Sequence, residues 1–524
     1  MAQINVSNLT FGYEGSFENV FENVFENVSF SVDTDWKLGF IGRNGKGKTT
    51  FLNLLLGKYD YQGSITSSAV FDYFPYVVTG KELDQSASEL MEKWKPQVEQ
   101  WRVMCELPLL SIDAELLYRP FGTLSFGERT KVMLAVLFSR ENDFLLIDEP
   151  TNHLDMEARD KVKQYLAGKK GFILVSHDRD LLDYVCDHVL VLNRSSIEVQ
   201  AGNFSSWWDN KEKKDSFARA ENEKHLREIG KLKATADRSS RWAEKSENTK
   251  IGFDPIKEND RSISTRSFIG AKTKKMQSRV KNFEKRMDRE IGEKEGLLND
   301  LEEEIDLKIM PLEHYKERLV ECRNLSLRYL DGTENVISDL SFEVKQGERV
   351  FLSGANGCGK SSLIKAILKK NEEGSGDGDS ARLSDSKTMG NMELTGTLSL
   401  APNLTISYIN QDTSHLRGTL SDHAKRAGLD LSLLLAILRQ LDLNREQFEK
   451  TMEDFSEGQK KKVLIASSLL TPAHLYIWDE PLNYIDVFSR MQIERLIEKY
   501  RPTMLIVEHD VRFREKLASK EIVL

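Results

Sequence analysis

Two stretches of the chain combine glycine, lysine and a hydroxyl residue at the spacing that holds a triphosphate. Residues 42–49 read GRNGKGKT and residues 354–361 read GANGCGKS, and both match the pattern G-x-x-x-x-G-K-[ST]. The glycines allow backbone N–H groups to converge on phosphate oxygens, while the lysine reaches the outer phosphates and the hydroxyl can hold Mg²⁺. The residues predicted to bind ATP here are Gly42, Asn44, Gly45, Gly47, Lys48, Thr49 and Thr50, with Gly354, Asn356, Gly357, Gly359, Lys360, Ser361 and Ser362.

Each loop has an acidic partner further along the chain. FLLIDE at 144–149 and LYIWDE at 475–480 are apolar runs that end in two acids, a pattern typical of buried parallel strands with chemistry at their carboxyl ends. Asp148 and Asp479 are predicted to contact Mg²⁺, with Thr49 and Ser361. Glu149 and Glu480 are predicted to polarise the attacking water, because phosphoryl transfer depends largely on positioning and charge stabilisation.

A histidine follows a second apolar strand in each half of the chain. ILVSHD at 173–178 and LIVEHD at 505–510 place His177 and His509 at equivalent points. A lone histidine is more often structural. Here both copies stand before an aspartate, and this repetition favours a contact with the γ-phosphate.

The order of these motifs is the same in both halves, which indicates a tandem duplication. The sequence predicts an α/β fold with two nucleotide-binding domains at 1–205 and 320–524, joined by a linker at 206–319. A smaller repeat, three copies of FENV at 17–28, is interpreted as a lengthened turn between the first two strands.

The linker is predicted to form an antiparallel helical hairpin. Apolar residues recur at threes and fours in 205–240 and again in 275–308, as in helices that pack along one face. The stretch between them, 241–270, is polar and contains glycine and proline, so we expect a loop at the tip of the hairpin.

Positive charge is concentrated in this linker although the whole chain is acidic, with a net charge of −9. Residues 231–290 hold 17 Lys and Arg against 9 Asp and Glu. Aromatic side chains amid positive charge suit RNA, which proteins hold by phosphate contacts and base stacking; a solvated spacer is the alternative. The residues predicted to contact RNA are Arg241, Trp242, Lys245, Phe253, Arg261, Arg266 and Phe268.

The composition excludes several classes of protein. The chain has 524 residues and is 40% hydrophobic, enough to bury large cores. No run of eighteen apolar residues and no signal-peptide pattern occur, and the four cysteines lie far apart. We therefore expect a cytoplasmic protein without a membrane span, a disulfide framework or a zinc site.

Two further stretches carry a family resemblance. LSFGE at 124–128 and FSEGQ at 455–459 resemble the LSGGQ signature of the ATP-binding cassette superfamily, although Phe126 and Glu457 stand where glycine is usual. The resemblance implies that two cassettes within one monomeric chain pair head to tail with ATP between them. One site would combine the Lys48 loop with Ser456 and Gly458, and the other the Lys360 loop with Ser125 and Gly127.

The same resemblance assigns two more kinds of residue. Tyr13 and Tyr329 match the aromatic that stacks on adenine, with strand packing as the alternative. Gln411 fits the glutamine that contacts Mg²⁺, whereas the matching place in the first copy holds Tyr76. The Lys48 site is therefore expected to hydrolyse ATP more slowly, although both glutamates are present.

Two cassettes fused through a long charged linker resemble the ABC-F class, and WKLGFIGRNGKGKTT and YIWDEPLNYIDVF are similar to Lsa/Vga-type resistance proteins. That resemblance implies binding to the 70S ribosome, with the linker entering the tRNA exit site towards the P-site tRNA and large-subunit rRNA. It implies protection against lincosamides, pleuromutilins and group A streptogramins, with release by ATP hydrolysis. The alternatives are a housekeeping ABC-F translation factor and a cytosolic ATPase subunit of a drug exporter.

Overall fold

The computed structural model describes most of the two predicted domains and the first part of the linker. The described residues are 3–13, 23–140, 143–152, 154–193, 197–248, 285–286, 289, 307–330, 335–374, 387–389 and 392–524. The chain divides into two compact units, one formed by Met1–Trp207 with Ile305–Leu524 and the other by Trp208–Glu304.

Strands and helices alternate in both repeats. The strands are β1 Gln3–Gly12, β2 Asn23–Asp33, β3 Lys37–Gly42, β4 Gln62–Thr66, β5 Val70–Phe74, β6 Asp143–Asp148, β7 Phe172–Val175, β8 His188–Leu192, β9 Ile197–Ala201, β10 Arg318–Tyr329, β11 Asn335–Lys345, β12 Arg349–Ser353, β13 Lys387–Met389, β14 Met392–Leu400, β15 Ile406–Ile409, β16 Leu475–Asp479, β17 Met504–Val507 and β18 Lys520–Val523. The α-helices are α1 Lys48–Leu55, α2 Ala87–Trp94, α3 Gln100–Glu106, α4 Phe126–Leu137, α5 Met156–Ala167, α6 Arg179–Val185, α7 Phe204–Asn248, α8 Lys360–Gly374, α9 Leu420–Ala427, α10 Leu431–Gln440, α11 Glu457–Leu470, α12 Val487–Tyr500 and α13 Val511–Leu517. Short 3-10 helices lie at Gly80–Glu82, Pro108–Leu110, Ala114–Tyr118, Phe121–Thr123, Arg445–Glu449 and Met452–Asp454.

Each repeat contains one antiparallel and one mainly parallel sheet. In the first repeat the strand orders are β2-β1-β4 and β5-β6-β7-β3-β8-β9, and in the second they are β11-β10-β14-β13 and β15-β16-β17-β12-β18. The central strand order β6-β7-β3 recurs as β16-β17-β12, with all of these neighbours parallel. The predicted α/β fold with two tandem nucleotide-binding domains is confirmed.

The parallel strands lie in the cores because both faces of the sheet are covered. In the second repeat one face packs against the helices α9 to α13, and the other packs against α8 and the antiparallel sheet. All four residues of β7 and of β17 are buried, and so are all five residues of β16. Such strands show unbroken apolar runs rather than alternation. The runs end at Asp148 and Asp479, so the buried strands carry the acids to the same edge of the sheet as the phosphate loops.

The last FENV copy does not belong to a turn. Residues 14–22, which hold the first half of the repeat, lie outside the described part of the chain, but Phe25–Val28 lies within β2 and pairs with β1. Phe25 and Val28 are both buried in the core of the first repeat. Their spacing of three does not fit a regular strand, but both side chains reach the core because Asn27 between them has φ 53° and the pairing with β1 is irregular there. The interpretation of this copy as part of a lengthened turn is therefore wrong.

The linker begins with a single helix of 45 residues, α7. The helix predicted over 205–240 is confirmed, but the predicted start of the tip loop at 241 is wrong, because α7 continues to Asn248. The intervening residues RWAEKSEN include good helix formers and no glycine or proline. The first residues that interrupt a helix, Gly252 and Pro255, come later in the sequence.

The other end of the linker also differs from the expectation. Residues 285–286 and 289 are helical as predicted, and 290–306 lie outside the described residues. Leu307 and Ile309 are not helical but alternate with exposed neighbours and pack into the core of the second repeat. This period of two is that of an extended segment. The predicted helix over 275–308 therefore ends too late, and the chain joins the second repeat before the predicted boundary at 319.

Candidate active site

The two phosphate loops lie between a buried strand and a helix, as the motif requires. Gly47 and Gly359 precede α1 and α8 with φ values of 104° and 101°, in the left-handed region that favours glycine. A Cβ at Gly47 would lie 2.6 Å from Val24 Cγ1, and one at Gly359 would lie 2.8 Å from Val336 Cγ1. Both the backbone conformation and the neighbouring strand therefore require glycine at this point of each loop.

Both loop lysines fold back over their own loops. Lys48 Nζ donates to Gly42 O at 2.6 Å and to Asn44 Oδ1 at 3.3 Å. Lys360 Nζ donates to Gly354 O at 2.7 Å and to the next carbonyl at 2.8 Å. Burial lowers the pKa of Lys48, against the opposing charges of nearby carboxylates. The ammonium groups thus lie at the mouths of the loops, where phosphates would replace the carbonyl partners.

A hydroxyl and a carboxylate meet beside each lysine. Thr49 Oγ1 lies 3.2 Å from Asp148 Oδ2, and Ser361 Oγ lies 2.9 Å from Asp479 Oδ2. Asp479 Oδ1 is buried and makes no hydrogen bond within the described chain. Across the described part of the chain, no three acids, histidines or cysteines are grouped closely enough to hold a metal ion by themselves. One carboxylate and one hydroxyl suit Mg²⁺, which takes its remaining ligands from water and phosphates.

The two glutamates next to these aspartates adopt an unusual backbone conformation. Glu149 has φ 50° and Glu480 has φ 48°, a region that is costly for residues with a side chain and that recurs at functional sites. His177 Nε2 lies 3.3 Å from Glu149 Oε1, and His509 Nε2 lies 3.6 Å from Glu480 Oε1. The structure therefore brings together the glutamate and histidine that the sequence predicted for each repeat.

The equivalent glutamates differ in their ionisation. Burial and the charge of Asp148 raise the pKa of Glu149 to about 8. Burial would also raise the pKa of Glu480, but contacts from His509 and Gln411 outweigh it and lower that pKa below its ordinary value. At neutral pH the carboxyl of Glu149 is therefore largely protonated, whereas that of Glu480 is ionised.

Gln411 contacts Glu480, the predicted catalytic residue, rather than the predicted Mg²⁺ ligands Ser361 and Asp479. Its Nε2 donates to Glu480 Oε2 at 2.8 Å. In the first repeat the matching residue is Tyr76, since each lies two residues beyond the last paired residue of β5 or β15. Tyr76 turns away, stacks on Trp94 with ring centroids 4.9 Å apart and donates to Asp72 Oδ2 at 2.8 Å. The Lys48 site therefore has no glutamine at this position.

Tyr73, which the sequence analysis missed, contacts the carboxylate of Asp148 in the Lys48 site. Tyr73 OH donates to Asp148 Oδ2 at 3.1 Å, so that one oxygen accepts from both Tyr73 and Thr49. The signal was present in the sequence, because Tyr73 stands three residues before Tyr76 on an apolar strand. The matching Tyr408 in the second repeat instead lies 3.2 Å from Asn410 Oδ1.

The two signature serines begin helices. Ser125 Oγ accepts from Glu128 N at 3.3 Å before α4, and Ser456 Oγ accepts from Gln459 N at 3.4 Å before α11. In both cases the serine backbone N–H donates to the side-chain oxygen of the third residue, Glu128 or Gln459, which completes a capping box. The signature thus presents the exposed start of a helix, a position that favours anions.

Residues of both repeats line one cavity of about 480 Å³. Lys48, Thr49, Asp148 and Glu149 face it from the first repeat, and the second repeat contributes Ser456 and Gly458. Its further lining residues are Asn44, Gly45, Asn152, Val175, His177, Asp442, Asn444, Gln447, Glu457, Gln459, Lys462 and Tyr484.

Two direct contacts hold the repeats together beside this cavity. Asn44 Nδ2 donates to Tyr484 O at 2.8 Å, and Arg43 forms an ion pair with Asp442. A Cβ at Gly458 would lie 2.8 Å from the same carbonyl of Tyr484, so this signature position must be glycine. The cavity therefore combines a phosphate loop from one repeat with the signature of the other.

The predicted adenine-stacking residues lie beside the phosphate loops. Tyr13 OH is 2.8 Å from Thr50 Oγ1, and Tyr329 OH is 2.6 Å from Ser362 Oγ. Tyr13 is half exposed and meets Tyr59 edge to face at 5.9 Å. Phe11 also meets Tyr13 edge to face, at 5.1 Å. The role of the two tyrosines in adenine stacking stays a prediction.

A family model described as ABC transporter matches residues 25–152 and 337–483, which is more than half of the chain. The chain belongs to this family. Its two repeats are ATP-binding cassettes, and the protein is an ATPase. Within the described part, the cassette protein has no helix that is both long and apolar enough to cross a membrane.

Several relatives match almost the whole cassette protein. It is 27% identical to the ribosome protection protein VmlR of Bacillus subtilis, over 93% of this chain and 81% of that protein. It is 26% identical to the erythromycin resistance ATP-binding protein MsrA of Staphylococcus epidermidis, over 93% of this chain and 91% of that one. The resemblance to ABC-F proteins is thereby confirmed. A solved structure, the archaeal ribosome recycling factor aABCE1, shares the tandem fold with a TM-score of 0.58 at 20% identity, covering 95% of this chain and 84% of that chain.

The predicted RNA contacts of the cassette protein fall mostly outside the described residues. Arg241 is exposed on α7. Trp242 and Lys245 also lie on α7, but their side chains are not among those described. Phe253, Arg261, Arg266 and Phe268 lie outside the described residues.

Proposed function

We propose that this protein binds the ribosome in its ATP-bound form and protects it from antibiotics of the peptidyl-transferase centre. The observation that carries the proposal is the likeness over 93% of the chain to proteins named for ribosome protection and for erythromycin resistance. The cavity shared by the two cassettes supports it, because ATP bound there would contact both cassettes at once.

The proposed roles of the site residues follow their positions. Lys48 and Lys360 bind the outer phosphates, and the hydroxyl and aspartate beside each lysine hold Mg²⁺. When bound, Mg²⁺ neutralises charge that develops on the phosphates. Glu149 and Glu480 orient the attacking water by accepting its proton or hydrogen bond, and His177 and His509 contact the γ-phosphate. We extend the same pairing to the second site, between the Lys360 loop and Ser125 with Gly127.

The shared cavity explains how ATP would control the protein. A ligand shifts a conformational equilibrium only if it binds one state better than the other. ATP in this cavity touches the Lys48 loop of one cassette and the Ser456 helix of the other, so it favours the closed pair. Hydrolysis removes part of that bridge and reopens the cassettes, which releases the ribosome.

The linker is proposed to enter the tRNA exit site and to act on the P-site tRNA end or on nearby large-subunit rRNA. A helix of 45 residues such as α7 is about 68 Å long at 1.5 Å per residue. Positive charge and aromatic side chains towards its end suit RNA. We expect lincosamides, pleuromutilins and group A streptogramins to be the affected drugs.

Cell-free translation tests the proposal directly. Bacterial ribosomes stalled with a lincosamide or a pleuromutilin are supplied with the purified protein and ATP, and peptide synthesis is measured. We expect synthesis to recover, since no membrane is present through which an exporter could act. Binding to ribosomes without recovery would favour the housekeeping translation factor. Neither binding nor recovery would favour the exporter subunit.

A variant that cannot hydrolyse ATP tests the gating step. Glu149→Gln with Glu480→Gln should sediment with ribosomes when ATP is present and stay in the supernatant without it. Its presence in the supernatant under both conditions would contradict control by ATP.

The linker is tested by two matched charge reversals on α7. Arg241 is exposed towards the end of the helix, whereas Arg227 pairs with Glu223 on the same helix. Arg241→Glu should weaken ribosome binding more than Arg227→Glu, although both change the net charge equally. Equal losses would indicate a general electrostatic effect rather than contact near the tip.

A further inference from the structure

The segments that follow β7 and β17 contain His177 and His509 and are called the histidine loops below. A buried cluster of charged side chains joins these two loops and so connects one cassette to the other. Arg179 follows His177 by two residues, and Asp510 follows His509 directly. Arg179 Nη1 donates to Glu494 Oε2 at 3.2 Å, its Nη2 contacts the other oxygen of Glu494, and Nη2 lies 3.6 Å from Asp510 Oδ1. The exposed fractions of these side chains are only 6%, 2% and 4%.

The cluster continues to the loop that contacts the first ATP site. Arg490 Nη1 donates to Asp510 Oδ2 at 3.0 Å, and its other nitrogens donate to Leu482 O and Ile485 O at 2.9 Å. The carbonyl of Tyr484, in the same loop, accepts from Asn44 of the opposite phosphate loop. A continuous set of contacts therefore joins the Lys48 phosphate loop to both histidine loops.

This bridge has no equivalent with the roles of the two cassettes exchanged. In the equivalent position to Arg179 the second cassette has Val511, and in the position of Glu494 the first cassette has Lys163. The arginine that holds the aspartate is present in both, as Arg159 and Arg490. Duplication therefore preserved the contacts within each cassette, whereas the bridge between the histidine loops depends on Arg179.

We propose that Arg179 is a positioning residue that couples ATP binding at the two composite sites. A buried charge cannot lose its partners without a large cost, so a shift of one histidine loop must be followed by the residues paired with it. ATP that draws His509 towards its phosphate thereby moves Asp510, and Arg179 passes this movement to the His177 loop. The proposal rests on the assignment of Lys48 and Lys360 to ATP binding.

Binding measurements on a hydrolysis-deficient background test this coupling. In Glu149→Gln/Glu480→Gln protein, ATP binding is measured by calorimetry with Mg²⁺, with and without Lys360→Ala, which removes the second site. We expect Lys360→Ala to weaken ATP binding at the remaining site about fivefold, the lower end of typical coupling between sites. With Arg179→Ala added, Lys360→Ala should no longer change that affinity. An unchanged fivefold effect would overturn the proposal.

A matched variant separates coupling from general loss of contact between the cassettes. Arg512 also bridges them, but it bonds to Asp183 on α6 and to Ser205 at the start of α7 rather than to His177 or Arg179. The effect of Lys360→Ala should persist in Arg512→Ala. Its loss in both arginine variants would overturn the specific role of Arg179. If Lys360→Ala protein still binds two ATP molecules, the site assignment fails rather than the coupling.

The substituted protein is expected to fold because neither carboxylate is left without a cation. Lys516 lies 3.7 Å from Glu494, and Arg490 still pairs with Asp510. Should Arg179→Ala unfold, Arg179→Gln keeps much of the side-chain volume without the charge, and the same loss of coupling is expected. Retained coupling in folded Arg179→Gln would contradict the proposal.

Discussion

The two cassettes place the same catalytic candidates at the same points but surround them differently. Glu480 receives a hydrogen bond from Gln411 and is ionised, whereas Glu149 has no such donor and its pKa is raised to about 8. The residue matching Gln411 is Tyr76, which packs on Trp94 instead. Contacts from His509 and Gln411 lower the pKa of Glu480, whereas burial and the charge of Asp148 raise that of Glu149. Duplicated motifs can thus keep the same reacting groups in different charge states.

The largest expected difference lies in hydrolysis. Its raised pKa keeps Glu149 protonated rather than ionised at neutral pH, which makes it less available as a proton acceptor. It also lacks the hydrogen bond that Gln411 gives Glu480, which is worth about a factor of ten. We therefore expect Glu480→Gln to lower steady-state ATP turnover about 10²-fold and Glu149→Gln about threefold or less. Phosphate release by the two purified variants at pH 7 measures this.

An equal loss of ATP turnover in Glu149→Gln and Glu480→Gln would contradict a difference between the two glutamates. Lys48→Ala and Lys360→Ala provide the control, since each removes a whole site. If Lys360→Ala and Glu480→Gln lower turnover alike, the fast site is the one that contains Glu480.

The next difference concerns two buried aspartates that begin equivalent helices. Asp510 caps α13 and pairs with Arg490 and Arg179, while Asp178 caps α6 with Arg159 at 3.8 Å. Burial would raise both pKa values, but the two arginines lower that of Asp510, whereas that of Asp178 stays raised. We expect Asp510→Asn to reduce the free energy of unfolding by about 2 kcal/mol at pH 7.5 and Asp178→Asn to change it by less than about 0.5 kcal/mol.

The pH dependence of unfolding sharpens this prediction. A lowered pKa in the folded state stabilises above the unfolded value and loses that contribution as the pH falls through the folded value. The difference in the free energy of unfolding between Asp510→Asn and the parent protein should therefore become smaller as the pH falls below about 4. Urea unfolding at pH 7.5 and at lower pH measures it, and a constant gap would contradict the ionic origin.

The sequence predicted those features whose residue pattern is compatible with only one local structure. Strands, phosphate loops and acids could be predicted because buried parallel strands leave unbroken apolar runs that end at the site. The helix α7 was predicted from its apolar spacing, but its end was not, because polar residues from 241 onwards favour a helix as well as a loop.

Contacts between distant segments could not be predicted in the same way. Tyr73, Arg43 and Arg179 act through partners 75, 399 and 315 residues away in sequence. Their importance comes from which surfaces the fold brings together, and no local pattern records it. The substitution of Tyr76 for glutamine was visible in the sequence, but the direction of its side chain depends on Trp94.

A third prediction tests the glutamine itself. In the Glu149→Gln background, Gln411→Ala should lower turnover about tenfold, because Glu480 loses a hydrogen bond to its charged form. In the Glu480→Gln background, Tyr76→Phe should leave turnover within about twofold, because its hydroxyl contacts Asp72 and not the site. A large effect of Tyr76→Phe would show that the first site depends on this tyrosine after all.

The smallest expected effect comes from the ion pair that closes the first site. Arg43 pairs with Asp442, and both side chains remain partly exposed, at 17% and 18%. The equivalent residues for the second pairing are Ala355 and Ser111, which cannot form such a pair.

Arg43→Ala should weaken ATP binding at the first site about threefold, within the range of partly exposed ion pairs, and leave the second site unchanged. ATP titration of the hydrolysis-deficient protein, with Lys48→Ala or Lys360→Ala to isolate each site, measures both affinities. Equal weakening at the two sites would contradict this prediction and would mean that the pair stabilises the closed cassettes as a whole rather than the first site.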